Sequence, residues 1–168
     1  MSILTVLEYP DPRLKIKAKP VATVDKATQQ QLKDMIETMY HDHGGGLAAT
    51  QVAIEKRMFV MDASPEHNQP QCFVNPEIIE REGEIIEEEG CLSFPGVTAT
   101  VKRSRRIKVK ALNIEGKPFE VEYDGDYSAR CVQHEIDHLD GIVYFDHLSP
   151  LKRKMVEKKF KKYKAELM

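Results

Sequence analysis

No run of apolar residues approaches the roughly 18–20 that a membrane-spanning helix needs. The opening stretch MSILTVLEYPDPRL is too short for a signal-peptide core and is interrupted by Glu8 and Pro10. Neither a membrane partner nor export is therefore expected, and the expected compartment is the cytoplasm. Cysteine is scarce: Cys72, Cys91 and Cys131 cannot all pair, so reduced thiols are expected rather than a disulfide framework. No internal repeat, low-complexity tract or Gly/Ser linker divides the chain, and no DNA- or RNA-binding fold signature is present. What is there is 168 residues, 41% of them hydrophobic, enough for one core and read as a single domain over 1–168.

The net charge of −2 conceals blocks of opposite sign. Between Glu77 and Glu89 stand seven acids against Arg81 alone, and KRSRRIKVK (102–110) carries six bases. Between Lys152 and Lys164 stand eight bases against Glu157. Each block reads first as a solvated face. The C-terminal one also suits attraction to phosphate.

Leu32, Met35, Ile36, Met39 and Tyr40 recur at helical spacing, which predicts a helix from about Asp25 to His43 with Asp25 as N-cap and Gly44 as its stop. RMFVMD (57–62), QCFVNPEII (71–79), IKVKALNI (107–114) and FEVEY (119–123) are β-rich, and the last two read as a hairpin over Glu115–Pro118. A second helix is expected from about Ser128 to Asp140, closed by Gly141. A third is expected over about 149–167, with Ser149 as N-cap and Pro150 at the first position. Leu151, Met155, Phe160, Tyr163 and Leu167 are its expected docking stripe. Strands interrupted by three helices predict an α+β fold with mainly antiparallel sheet.

The strongest chemical signal is Gln133-His134-Glu135-Ile136-Asp137-His138. Histidines four apart on a helix leave the same face and can hold one metal ion, with Glu135 placed to hydrogen-bond a water there. A third ligand is needed. Asp140, Asp146, His147 and Glu157 lie downstream, but His147 does not stand at metzincin spacing. Upstream is Glu89-Gly90-Cys91-Leu92-Ser93, where a thiolate would complete a Cys-His-His set with its fourth position open. A lone cysteine is also a common buried hydrophobe, so the third ligand stays open at this point. Asp137 reads equally as an orienting partner or a solvated carboxylate. The run GGGLAATQ (44–51) lacks the Lys-Ser/Thr of a phosphate loop. Its small residues let backbone approach a ligand, and Gln51 adds a neutral donor suited to an oxyanion.

In this order, GGGLAATQ, EGCLS (89–93) and QHEIDH (133–138) resemble the three motifs of the peptide deformylase family: Gly-x-Gly-Leu-Ala-Ala-x-Gln, Glu-Gly-Cys-Leu-Ser and Gln-His-Glu-x-Asp-His. YPDPRL (9–14) and SPLKR (149–153) also look like family segments, so the resemblance spans nearly the whole chain. It implies antiparallel sheets packed around a central HExxH helix, flanked by an N-terminal and a C-terminal helix. It implies a hydrolase that removes the formyl group from N-terminal formyl-methionine of nascent polypeptides and releases formate. Cys91, His134 and His138 would bind one divalent ion per chain, Fe2+ with Ni2+, Co2+ or Zn2+ as replacements. Glu135 would be general base and then acid, and Gln51 (side-chain amide) and Leu92 (backbone N–H) would stabilise the oxyanion. Gly44, Gly45, Gly46, Glu89, Gly90 and Arg130 are the expected substrate-binding residues, Gly46 through its backbone. The terminal basic helix becomes a candidate for contact with the ribosome, and its removal is expected to spare turnover of short peptides.

Two residues depart from the family pattern. Gly45 stands where the family has a branched aliphatic, and Arg130, one turn before His134, where it has an aliphatic residue. Arg130 either swings out to pair with Glu87 or Glu88, or makes the first-side-chain pocket less apolar, favouring a substrate carboxylate or restricting methionine. Two rival readings stand beside the deformylase: a metallopeptidase or amidase using His134, Glu135 and His138 alone, and a deformylase-like scaffold kept for binding.

Overall fold

The structure is a computed structural model describing residues 2–167. Helix α1 (Lys26–His41) begins where the Asp25 side chain accepts from the Thr28 N–H, as the sequence predicts. Its end differs. His43, not Gly44, adopts the left-handed conformation (φ 57), and the Gly44 N–H donates back to the Met39 carbonyl at 2.9 Å. Histidine is among the residues that tolerate this conformation, which leaves Gly44 to serve a close contact described below.

Strands β1 (Gly46–Ala48), β2 (Met58–Met61) and β3 (Gln71–Glu82) are followed by β4 (Ile85–Glu89), β5 (Ala99–Arg103), β6 (Arg106–Leu112) and β7 (Pro118–Asp124). All pairings among them are antiparallel, in a five-stranded sheet ordered β1-β2-β3-β6-β7 and a β4-β5 ribbon. The hairpin between β6 and β7 forms as expected, its turn closed by Asn113 and Lys117. Strand β5 was not among the expected strands. Its buried face is Ala99, Val101 and Arg103, and that alternation is masked in the sequence by the basic residues around it.

Helix α2 (Tyr127–Leu139), capped by Asp126, lies on one face of the large sheet and α1 on the other. Strand β2 records the sandwich: Phe59 and Met61 pack with Val132, Ile136 and Leu139 of α2, while Met58 and Val60 pack with Leu32, Met35 and Met39 of α1. A strand covered on both faces reads as an unbroken apolar run for this reason.

The acidic block and the 102–110 basic block prove to be partners. Register sets Glu77 opposite Lys110, Glu80 opposite Lys108 and Glu82 opposite Arg106. Arg106 further reaches Glu122, and Lys102 reaches Glu84. Opposite charges facing across strands favour this register, each exposed pair contributing little by itself.

Helix α3 (Pro150–Glu166) starts at Ser149 as predicted. Of its expected docking stripe, Phe160 and Tyr163 face inward, whereas Leu151, Met155 and Leu167 do not. Leu151, Met155 and Leu167 are 70%, 54% and 65% exposed, while Phe160 is 3% exposed. At about 100° per residue, Leu151 lies opposite Phe160 and Met155 well off its face. The inward side is Arg153, Val156, Glu157, Phe160, Tyr163 and Lys164, with Phe160 seated among Leu14, Phe94, Val101, Tyr144 and Phe145.

Candidate active site

Three elements converge on one cavity of about 400 Å³. The core-facing stripe of α2 brings His134 and His138 to the side where β4 ends, and the chain leaving β4 carries Gly90 and Cys91. The Sγ of Cys91 lies 3.3 Å from His138 Nε2, which lies 3.2 Å from His134 Nε2. These three donors are all within 4.8 Å of one another, the arrangement of ligands around a common ion. A thiol and two imidazoles suit a first-row divalent metal. The downstream carboxylates and His147 are not part of this group. Nor is Cys131, whose Sγ faces Glu135 Oε2 and the Gly45 carbonyl, each at 3.9 Å.

The other nitrogen of His134 is held by Glu89, Nδ1 to Oε1 at 2.9 Å. Glu89 in turn takes two hydrogen bonds from Arg103, at 2.9 and 2.8 Å. Arg103 also reaches Asp137 (2.5 Å), which contacts His147 Nε2 at 2.7 Å. Burial acts to raise the Glu89 carboxyl, but hydrogen bonds from Arg103 and His134 outweigh it and bring its pKa down to about 2. The carboxylate of Glu89 is thus occupied within the protein. It fixes the ring of His134, and only its backbone is left to meet a substrate. Asp137 takes the orienting place that the sequence left undecided. Arg103 is the residue that sequence reasoning missed: it was absorbed into a basic run read as solvated, yet it is 6% exposed. The alternation Ala99, Val101, Arg103 was the available signal.

Glu135 faces the same cavity, one oxygen buried without a hydrogen-bond partner among the described residues. Burial pushes its carboxyl up to about 7. Gln51, on the short helical turn Ala49–Val52, is fixed at both ends: its Oε1 accepts from the Ala48 N–H at 2.9 Å, and its Nε2 donates to Ser93 Oγ at 3.0 Å. That Nε2 lies 3.5 Å from Cys91 Sγ. Among the described residues no hydrogen bond uses the Leu92 N–H. The glycines before Gln51 are there for proximity. A Cβ on Gly46 would come within 2.6 Å of Glu135 Oε2, and one on Gly44 within 2.7 Å of Leu92 Cδ1. Strand β1 is an edge of its sheet, so among the described residues no strand lies beside the outer side of Gly46. Arg130 lines the cavity as well, beside Tyr127. Neither Glu87 nor Glu88 pairs with it; Glu88 bonds Thr98 instead. Tyr127 carried no sequence signal.

A Cys-His-His cluster with a buried carboxylate and fixed amide and N–H donors is equipped for metal-assisted hydrolysis of an amide. Residues 3–154 match the polypeptide deformylase family. The chain is 51% identical to a peptide deformylase of Chromobacterium violaceum over 168 residues, covering 100% of both. It is 50% identical to peptide deformylases of Neisseria meningitidis over 162 residues, 96% of each chain. A crystal structure of a peptide deformylase from Legionella pneumophila superposes with a TM-score of 0.94 at 44% identity, covering 99% of this chain and 98% of that one. One from Ehrlichia chaffeensis, in complex with actinonin, superposes at 0.91 and 38% identity, covering 97% and 98%. With identity running the full length and the fold matching, this chain belongs to the polypeptide deformylase family, the metal-dependent hydrolases that remove the formyl group from nascent polypeptides.

Proposed function

We infer that Cys91, His134 and His138 hold one divalent ion, and that Glu135 moves the proton as the N-terminal formamide of a nascent chain is hydrolysed to formate and a free amine. The observation that carries this is the convergence of a thiol and two imidazoles within 4.8 Å, beside a buried carboxylate oxygen with no partner. The mixed donor set suits several first-row ions, and Fe2+ is the assignment, with Ni2+, Co2+ or Zn2+ as replacements. Such an ion would supply Lewis acidity and would lower the pKa of a nearby water towards 7. Glu135, its unpartnered oxygen facing the cavity, takes the water proton and delivers it to the leaving amine. Gln51 Nε2 and the Leu92 N–H donate to the negative charge developing on the formyl oxygen. The open edge of β1 at Gly46, with Gly44, Gly45 and Gly90 also lining the cavity, offers backbone to an extended substrate.

The same reading takes the whole chain, 1–168, as one catalytic domain at work in the cytoplasm. It gives α3 a second task, contact with ribosomal RNA. In support, Lys154, Lys158, Lys159, Lys161 and Lys162 are exposed, and none has an ion-pair partner among the described residues. Changing Lys154, Lys158, Lys161 and Lys162 to Ala should abolish salt-sensitive co-sedimentation with ribosomes; unchanged co-sedimentation would remove this part of the reading.

The central test is metal analysis after anaerobic purification, paired with formate release from formyl-Met-Ala-Ser. About one ion per chain and rapid formate release are expected. Cleavage of internal amides in acetyl-Met-Ala-Ser without formate release from its formyl counterpart would favour the metallopeptidase instead.

A further inference from the structure

The cavity beside the Cys91, His134 and His138 cluster has one wall that depends on a glycine. A Cβ on Gly45 would stand 2.3 Å from the Tyr127 hydroxyl and 3.0 Å from its ring. The tyrosine therefore occupies the volume that a side chain at 45 would take. The guanidinium carbon of Arg130 lies 5.6 Å from the centre of the same ring, so ring and cation form a single surface. None of the ion pairs among the described residues includes Arg130, and its Nε is buried with no hydrogen-bond partner. A buried donor is rarely left without an acceptor. The chemistry on this wall is that of a buried donor awaiting one.

The charge of that acceptor follows from the rest of the cavity. Glu88 lines it too, while the charge of Glu89 is already met by Arg103. A carboxylate entering beside Arg130 would also meet Glu88 and would have to shed its hydration. A neutral acceptor gains the hydrogen bonds without that repulsion. We propose that Arg130 and Tyr127, given room by Gly45, fit this chain to N-formyl peptides whose first side chain carries a neutral hydrogen-bond acceptor, as glutamine and methionine sulfoxide do, alongside methionine. This rests on the deformylase reading and adds the class of first residue.

The test compares kcat/KM for formyl-Met, formyl-norleucine, formyl-Gln, formyl-methionine sulfoxide and formyl-Glu tripeptides on the metal-loaded wild type, Arg130→Met, Arg130→Lys and Tyr127→Phe. In Arg130→Met the ratio of glutamine to norleucine should fall at least about tenfold, the low end for losing a hydrogen bond to a charged group. Arg130→Lys should retain part of the ratio, and Tyr127→Phe should lose part of it. A ratio unchanged within twofold in Arg130→Met, or formyl-Glu turned over better than formyl-Gln by the wild type, would overturn the proposal. Calorimetric binding of the unformylated peptides Gln-Ala-Ser and norleucine-Ala-Ser supplies a second readout that needs no turnover. If Arg130→Met does not fold, the Lys and Phe variants carry the comparison. Should the wild type release formate from none of these peptides, the deformylase reading fails, while calorimetry still decides what the pocket accepts.

Discussion

Replacing Glu135 by glutamine keeps the shape of the side chain and removes its capacity to carry a proton. We expect metal content to stay at the wild-type level while formate release falls by at least about 10²-fold, the lower end of positioned acid–base catalysis. Activity within a few-fold of wild type would show that another group moves the proton. Arg103 carries a different dependence. Its side chain is 4% exposed and its charge answers that of Glu89, so Arg103→Leu leaves a buried carboxylate without its cation. Breaking such a pair by removing one partner costs about 3–5 kcal/mol, which urea unfolding would read. Since Glu89 fixes His134, metal affinity should fall by about 10–100-fold in the same variant. The sign of the pH dependence follows from the depressed pKa. Glu89 drops from 4.5 to about 2 on folding, so its contribution is complete above about pH 4.5 and is lost as pH falls towards 2. In Arg103→Leu that part of the acid limb should flatten.

At the scale of elements, α3 joins the active site to the far end of the chain. Phe160 closes the cluster around Phe94. The Tyr163 ring lies so near Gly96 that a Cβ there would come within 2.4 Å. Phe94 and Gly96 both line the substrate cavity, so the helix braces one of its walls. The sequence led us to expect that removing the basic helix would spare short-peptide turnover. The structure changes that expectation, because truncation at 152 uncovers an aromatic cluster and releases the 94–97 wall. Phe160→Ala should destabilise by about 3–5 kcal/mol in urea unfolding, whereas Leu151→Ala, on the open side, should stay within about 0.5 kcal/mol. Equal costs would mean that the helix docks by the other face.

For the whole molecule, the cluster of Cys91, His134 and His138 ties α2 to the segment after β4, so an ion held there joins two parts of the chain in the folded state only. Binding at about 100 times the dissociation constant adds about 2.7 kcal/mol. For a chain of this size that raises the thermal midpoint by roughly 5–10 °C. Chelation should lower the midpoint by this amount and abolish formate release, and Ni2+ or Co2+ should restore both. Cys91→Ser should bind metal poorly and show little response to chelation. Full occupancy in that variant would move the ligand assignment away from Cys91.

Local chemistry was legible in the order of the residues. The caps at Asp25 and Ser149, the β6–β7 hairpin, and the HExxH helix with its i, i+4 histidines all depend on neighbours within a few positions, where periodicity and side-chain type suffice. The three motifs, which lie far apart in sequence, were joined by resemblance rather than by physics, and the fold is what places Cys91 within 3.3 Å of His138. Residues whose meaning depends on distant partners were not legible. Arg103 looked like one more base in a solvated run until β5 turned it inward onto Glu89. The acids of 77–82 and the bases of 106–110 looked like separate patches until antiparallel register set them face to face. The inward side of α3 was misread because hydrophobicity along a helix does not say which face meets a partner. The aromatic pocket formed by four other segments chose Phe160 and left Leu151 and Met155 in solvent. Tyr127 over Gly45 belongs to the same class, since the space a glycine leaves open has no owner until the chain returns to fill it.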